Sequence, residues 1–558
     1  MLPGCVPWPP EYARRYRERG YWEERSIPAA LDASVERRPD KIALVHGPER
    51  ITYRQLGERV SRLAAQFVRS GLKPLDRVVL QLHNAPEFLY AFFGLIRAGA
   101  IPVMALRAHR HTEVRHFIVS SGAAGYVIPD VLRDFDYRAM AEEMRAACPT
   151  LKRVFVAGAA GKGQISLGGL LDAPLTAAEV AQTLAEVRPD PAEAALMLLS
   201  GGTTSLSKLI PRTHDDYVYN AKQCGRLARF GEDTVLMPIL PLGHNYNLAS
   251  PGLMGALYHG GTVVLAPSGD AETVFPLIER ERVTAVPAAV PLISAWLNSG
   301  VPEKHDLSSL RVVQNGGARL APELRARLRE RFRCTPQEIY GTAEGLICMV
   351  PLDGDDEAVL ESSGIPVCDD DEIKVLGDDD REVPDGAPGE LCVRGPYTIR
   401  GYYNAPEKNR EGFTADGFYR MGDATRKIGR RVYFEGRIND LVNRGGEKIS
   451  CEEVENHILA HRGVRAACVV AMPDAVFGEK ACAFVLPQPG AALTFEELSA
   501  FLAGRGIARF KLPERLEIVA EFPISPAGKI LRRELRRMIG EKIAAEMAAR
   551  PGAPGPVQ

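Results

Sequence analysis

No run of the 558-residue chain approaches the roughly 20 apolar residues that a membrane span requires. The first residues, with Pro3, Pro7, Pro9 and Pro10, lack the basic opening and apolar core of a signal peptide. Ten cysteines, from Cys5 to Cys482, form no CxxC pair and no Cys/His cluster, which argues against a zinc site and a disulfide framework and leaves buried thiols. Charge of one sign is also missing: a net −2 gives no electrostatic reason to bind nucleic acid or an anionic membrane. No fixed-period repeat is visible. These absences lead to the expectation of a cytoplasmic protein with small or specific partners. Hydrophobic content of 46% and charged content of 25% are ordinary for a globular chain, and its length calls for about three or four compact units.

Helical and strand-like patterns alternate early in the chain. Residues 53–70 are periodic and amphipathic, Arg77-Val78-Val79-Leu80-Gln81-Leu82 reads as a strand, and 85–97 as a helix. Gly125-Tyr126-Val127-Ile128 and Arg153-Val154-Phe155-Val156 continue the order, and a second block has strand candidates at 234–237, 261–265, 283–286 and 311–314. Such alternation predicts an α/β architecture with a largely parallel sheet. Between about 364 and 436 the short strands with closely spaced Gly, Pro and Asp read as a small β-barrel or sandwich. The expected division is therefore an N-terminal core over 1–438 containing two α/β subdomains and this β-rich one, an α+β C-terminal domain over 439–545, and a Pro/Gly-rich tail over 546–558.

The stretch Ser200-Gly201-Gly202-Thr203-Thr204-Ser205-Leu206-Ser207-Lys208 follows the apolar 194–199. A strand opening into such a loop can wrap backbone N–H groups and hydroxyls around a polyphosphate, with Lys208 as a point charge. A Walker A loop is excluded, because Ser207 and Leu209 stand where that pattern needs Gly and Ser or Thr. Tyr340-Gly341-Thr342-Ala343-Glu344-Gly345 sets a carboxylate at a glycine turn, which suits a Mg²⁺ ion that takes few protein ligands. Asp423, in Tyr419-Arg420-Met421-Gly422-Asp423, is an acceptor-only carboxylate that follows a glycine. Gly316-Gly317-Ala318 lets backbone approach a flat ring, and Pro523-Ile524-Ser525-Pro526-Ala527-Gly528-Lys529 sets a single lysine ahead of a basic helix.

Taken in this order, these motifs resemble the adenylate-forming enzymes, the superfamily of acyl-CoA synthetases, luciferases and peptide-synthetase adenylation domains. Pro7-Trp8-Pro9 resembles the start of the stand-alone aryl-acid AMP ligases of siderophore pathways. The resemblance implies ATP and Mg²⁺ as cofactors. It places Ser200, Gly201, Gly202, Thr203, Thr204, Gly316, Gly317, Ala318, Tyr340, Gly341, Thr342, Asp423 and Arg437 around the nucleotide, with Glu344 on the metal. Lys529 and Lys208 would serve catalysis. His244 would act beside them as a gate or pocket wall, since no protein nucleophile or Ser-His or Cys-His arrangement is called for. Asn439 would be the hinge about which the C-terminal domain turns, bringing Gly445, Gly446 and Lys448 to the thiolation face.

The segment Pro241-Leu242-Gly243-His244-Asn245-Tyr246-Asn247-Leu248-Ala249-Ser250 bears on the acid. Amino-acid-activating relatives place an aspartate where Asn245 stands; a neutral amide instead favours an aryl acid with a 2-hydroxyl. By resemblance Tyr246, Asn315 and Ile347 also line this pocket, and Ser250 meets a hydroxyl at ring position 3. Dihydroxybenzoate is the first expectation; Asn315 and the neighbouring Cys348 keep salicylate, 3-hydroxypicolinate and a hydroxyanthranilate open. The acceptor is the pantetheine thiol of an aryl carrier protein, or else coenzyme A. Ser205 and Asn439 depart from the family pattern, which also leaves open an impaired adenylate-binding protein.

Overall fold

The computed structural model describes residues 1–200, 207–317, 319–320, 322–377, 379–437, 441–523, 530 and 532–548. The chain divides into two compact units, one of Met1–Ser200 with Lys208–Gly436 and a second formed from Arg437 onward.

Two sheets among the described residues of the first unit carry its α/β character. The seven-stranded sheet runs Leu209–Thr213, Ala194–Leu199, Ile101–Met104, Arg77–Leu80, Gly125–Pro129, Arg153–Ala157 and Ile165–Ser166. Its pairs are parallel except for the edge hairpin of Ala194–Leu199 with Leu209–Thr213. Strands such as Ile101–Met104 and Gly125–Pro129 are buried at every residue, which is why they read as unbroken apolar runs. Helix Tyr53–Arg69 covers this layer; its stripe of Leu56, Val60, Leu63, Ala64 and Phe67 is buried, and Thr52 with Gln55 closes a capping box at its start.

The nine-stranded sheet is parallel from Thr335–Gly341 through Val312–Gly316, Ala285–Ala288, Val235–Leu236 and Thr262–Leu265 to Ile42–His46, with antiparallel strands at both edges. Neighbouring carboxyl ends of such a sheet are where ligands bind. Here the ends of Val312–Gly316 and Thr335–Gly341 deliver Gly316-Gly317 and Tyr340-Gly341 side by side.

The β-rich stretch is a row of four strands, Glu372–Leu376, Pro388–Arg394, Tyr419–Ile428 and Arg431–Arg437, where the short strands alone read as a barrel or sandwich. Burial alternates along Tyr419–Ile428, so Tyr419, Met421, Asp423 and Thr425 share the covered face.

In the second unit the long hairpin Val464–Asp474 with Gly478–Pro487 is flanked by Leu441–Arg444, Glu447–Ser450 and Arg515–Ile518. Its period of two builds two cores. Ala467, Val469 and Ala471 pack with Val454, Ile458, Leu498 and Leu502, while Cys468, Val470 and Met472 pack with Leu535 and Ile539 of helix Arg532–Ala548. The mixed α/β class, with a large N-terminal part and a small C-terminal one, is as the sequence leads one to expect. Among the described residues no helix is long and apolar enough to cross a membrane. No disulfide joins the ten cysteines, nine of which are buried.

Candidate active site

The glycine-and-hydroxyl stretch connects the two strands of the edge hairpin, and its described ends, Ser200 and Lys208, are paired. Ser200 N–H donates to the Lys208 carbonyl at 3.0 Å, and Lys208 N–H donates to Ser200 Oγ at 2.9 Å. Lys208 Nζ lies 4.1 Å from the centroid of the Tyr402 ring, a cation over an aromatic face. Burial pushes the Lys208 ammonium below its usual range, and Glu344 opposes that shift.

Tyr402 also donates through its hydroxyl to Glu344 Oε1 at 2.9 Å, so a single ring bridges the lysine and the carboxylate. The Glu344 turn is fixed from three sides. Arg212, fully buried on Leu209–Thr213, donates to the Ala343 carbonyl at 2.8 Å and to the Tyr397 carbonyl at 2.9 Å while pairing with Asp216 at 2.8 Å. Ile399 N–H donates to the Glu344 carbonyl at 2.8 Å, and Tyr403 N–H to the Leu209 carbonyl at 3.0 Å. Thr342 Oγ1 donates to the Gly345 carbonyl at 2.9 Å. Gly345, at φ +143°, has no substitute here, because a Cβ would stand 2.4 Å from Thr398 Cα.

On Thr335–Gly341, the strand that leads into this turn, Tyr340 donates its hydroxyl to Asp423 Oδ2 at 2.8 Å, and its ring meets Phe434 at 5.7 Å. Asp423 is buried. Gly341 is as confined as Gly345, since a Cβ would lie 2.1 Å from the Leu346 carbonyl. A Cβ on Gly316 would lie 3.0 Å from Tyr246 Cε2, so the glycine lets the strand end lie against the Tyr246 ring. Asn315 donates Nδ2 to Glu338 Oε2 at 3.2 Å, and buried Arg325 pairs with the same carboxylate.

Helix His214–Leu227 begins at a Thr213 capping box with Asp216 and presents Tyr217 and Asn220, one turn apart, to Asn245–Ala249. The Tyr217 hydroxyl donates to Asn245 Oδ1 at 2.8 Å. Asn245 Nδ2 donates to Ser250 Oγ at 3.3 Å; Asn220 Nδ2 donates to the Ala249 carbonyl at 2.7 Å and to Ser250 Oγ at 3.4 Å. All four side chains are neutral and buried. His244 stands at the N-cap of Asn245–Ala249, exposed, with Nδ1 accepting from Tyr246 N–H at 3.3 Å. Ile347 is buried, its N–H donating to the Tyr397 hydroxyl at 3.1 Å.

In the second unit Gly445 and Gly446, at φ +57° and +97°, form the two-residue turn between Leu441–Arg444 and Glu447–Ser450, a turn whose backbone favours glycine at both places. Gly201, Gly202, Thr203, Thr204, Ala318, Asn439 and Lys529, and the side chains of Arg437 and Lys448, lie outside the described residues.

Lys208 and Glu344 stand on loops at strand ends, and Asp423 lies within Tyr419–Ile428 of the same unit. The family model for AMP-binding enzymes matches residues 31–403, and that for the C-terminal domain of AMP-binding enzymes matches 453–529. The chain belongs to the AMP-binding enzyme family. It is an AMP-forming ligase of the adenylate-forming superfamily, and ATP is its nucleotide. The AMP-binding enzyme is 44% identical to the 2,3-dihydroxybenzoate-AMP ligase of Bacillus subtilis over 98% of its own length and 99% of the relative's. It is 43% identical to the salicylyl-CoA synthase / salicylate adenylyltransferase of a Streptomyces species, over 97% and 98%. Among solved structures, apo MbtA of Mycobacterium smegmatis matches with a TM-score of 0.74 and 38% identity, covering 96% of this chain and 99% of that one.

The donor set of the AMP-binding enzyme fits a magnesium ion. Glu344 is one buried carboxylate, and no group of three or more His, Cys, Asp or Glu gathers among the described residues, whereas Mg²⁺ uses one or two carboxylates and otherwise water and phosphate oxygens. Sequence reading missed Tyr402, Arg212 as the clamp on the Glu344 turn, and the Tyr217–Asn220 pair. Only the adjacency of Arg212 to the loop offered a signal, because the others take their places through contacts with distant segments.

Proposed function

We propose that the enzyme activates a 2-hydroxy aryl acid, 2,3-dihydroxybenzoate before others, and passes the acyl group to the pantetheine thiol of an aryl carrier protein for siderophore or nonribosomal peptide synthesis. The observation that supports this most is the neutral, buried set of Tyr217, Asn220, Asn245 and Ser250. A substrate ammonium would need a carboxylate there, while an amide and a hydroxyl suit phenolic oxygens. The names of the Bacillus and Streptomyces relatives support the same class.

In the first half-reaction the substrate carboxylate attacks the α-phosphorus of ATP, the bond to the bridging oxygen breaks, and pyrophosphate leaves with the electron pair. Lys208 and the Ser200–Thr204 loop bind the phosphates, Asp423 accepts the ribose hydroxyls with Arg437 beside it, and the Gly316-Gly317-Ala318 backbone and Tyr340 frame the adenine. Lys529, supplied by the C-terminal domain, stabilises the developing charge. Mg²⁺ held through Glu344 would neutralise phosphate charge. Tyr402 positions both Glu344 and Lys208. In the second half-reaction the C-terminal domain, residues 439–545, rotates about Asn439 and withdraws Lys529. It presents Gly445, Gly446 and Lys448; the thiol attacks the acyl carbon, loses its proton, and AMP departs. His244 acts as a gate at the pocket rather than as a base. Coenzyme A as acceptor is a second reading, favoured by the printed name of the Streptomyces relative.

Aryl-acid-dependent exchange of labelled pyrophosphate into ATP tests this function. Exchange with hydroxybenzoates and none with amino acids is expected; exchange with amino or fatty acids alone overturns it.

A further inference from the structure

Resting on the aryl-acid reading, the donors and acceptors around Ser250 say more about the ring the pocket takes. Asn220 is 1% exposed, and its amide orientation is fixed, because a carbonyl oxygen, that of Ala249, takes Nδ2 at 2.7 Å. Its Oδ1 is buried without a hydrogen-bond partner, a state that costs free energy unless a ligand supplies a donor. Ser250 is the complement. Its Oγ accepts from Asn245 Nδ2 at 3.3 Å and from Asn220 Nδ2 at 3.4 Å, which uses its acceptor capacity and leaves the O–H to donate. Among the described residues no acceptor takes that proton.

We propose that Asn220 is a specificity-determining residue that, with Ser250, selects a hydroxyl on the ring carbon next to the one bearing the 2-hydroxyl. A phenolic hydroxyl both donates and accepts, so one group satisfies Asn220 Oδ1 and the Ser250 O–H together. A 3-amino group donates well and accepts poorly, so it meets Asn220 alone. A ring nitrogen meets Ser250 alone, a methoxy group likewise, and salicylate meets neither. Sites built to bond a substrate hydroxyl reject the analogue lacking it because their own buried groups are then left unpaired.

The test is kcat/KM for pyrophosphate exchange by the full-length enzyme with 2,3-dihydroxybenzoate, 3-aminosalicylate, 2-hydroxy-3-methoxybenzoate and salicylate. For the unsubstituted enzyme, 2,3-dihydroxybenzoate is expected to exceed salicylate by about a hundredfold or more, with the amino and methoxy compounds between. In Asn220→Ala and Asn220→Leu that ratio falls about tenfold or more. A folding defect scales both substrates alike and leaves the ratio in place. Salicylate equal to or better than 2,3-dihydroxybenzoate with the unsubstituted enzyme overturns the proposal while the aryl-acid function stands, and so does an unchanged ratio in both variants. Exchange with no hydroxybenzoate at all overturns both readings.

Discussion

Lys208 sits with its charge over the Tyr402 ring, and the Tyr402 hydroxyl donates a hydrogen bond to Glu344. The ring thus holds at a fixed spacing the cation and the anion to which the proposed function assigns the phosphates and the metal. Tyr402→Phe keeps the aromatic face and removes the hydroxyl; the Mg²⁺ concentration for half-maximal exchange is expected to rise about tenfold, since partners behind a metal ligand tune its affinity. Lys208→Ala is expected to lower exchange about 10²- to 10³-fold, read from initial rates at saturating Mg²⁺. These residues differ in how legible they were. Lys208, Glu344 and Asp423 stand in short motifs that resemble those of the family, so the sequence points to them before any fold is known. Tyr402 stands in Arg400-Gly401-Tyr402-Tyr403 and acquires its place only because Tyr403 N–H is anchored on Leu209 and Ile399 N–H on Glu344. Contacts made across distant segments leave no local pattern to read.

At the scale of elements, the edge strand Leu209–Thr213 does two jobs: it continues the sheet and, through Arg212, carries the clamp on the Glu344 turn. Arg212→Ala would leave Asp216, whose carboxyl burial already pushes upward, without its partner inside the core. A loss of about 3–5 kcal/mol in denaturant unfolding is expected, with Arg212→Lys restoring only part because it lacks the planar fork. The helix that follows has a pH dependence built into its first residue. His214 Nδ1 accepts from Ile27 N–H at 3.1 Å, and burial lowers its pKa from 6.5 to about 4. The unfolded chain therefore binds a proton that the folded chain refuses. This stability is complete above pH 6.5 and lost as pH falls toward 4, by about 1.4 kcal/mol per unit. Melting curves between pH 7 and 5 should show a steeper decline for the unsubstituted enzyme than for His214→Asn. The alternating pattern disclosed the α/β class because strands buried on both faces must be apolar throughout, but it did not fix where they begin. The strand expected at 283–286 starts at Ala285, because Arg282 at φ +53° ends the preceding helix and Val283 and Thr284 serve as the crossover.

At the scale of the molecule, the chain forms two compact units, each with its own apolar cores. Under the proposed function Lys529 serves adenylation, and Asn439 serves the turn that follows it. Asn439→Pro, which fixes φ and removes an N–H at the hinge, is expected to spare pyrophosphate exchange and to suppress thioester formation about tenfold or more, as seen by comparing the two half-reactions. Lys529→Ala is expected to suppress pyrophosphate exchange and to spare thioester formation from supplied aryl adenylate. The central claim is that the acid's own carboxylate attacks the α-phosphorus. The most direct test supplies 2,3-dihydroxybenzoate labelled with ¹⁸O in its carboxyl group, lets the enzyme load a carrier protein, and weighs the products. One ¹⁸O atom in AMP is the result the account predicts. Unlabelled AMP, or label in inorganic phosphate with release of ADP, would contradict it.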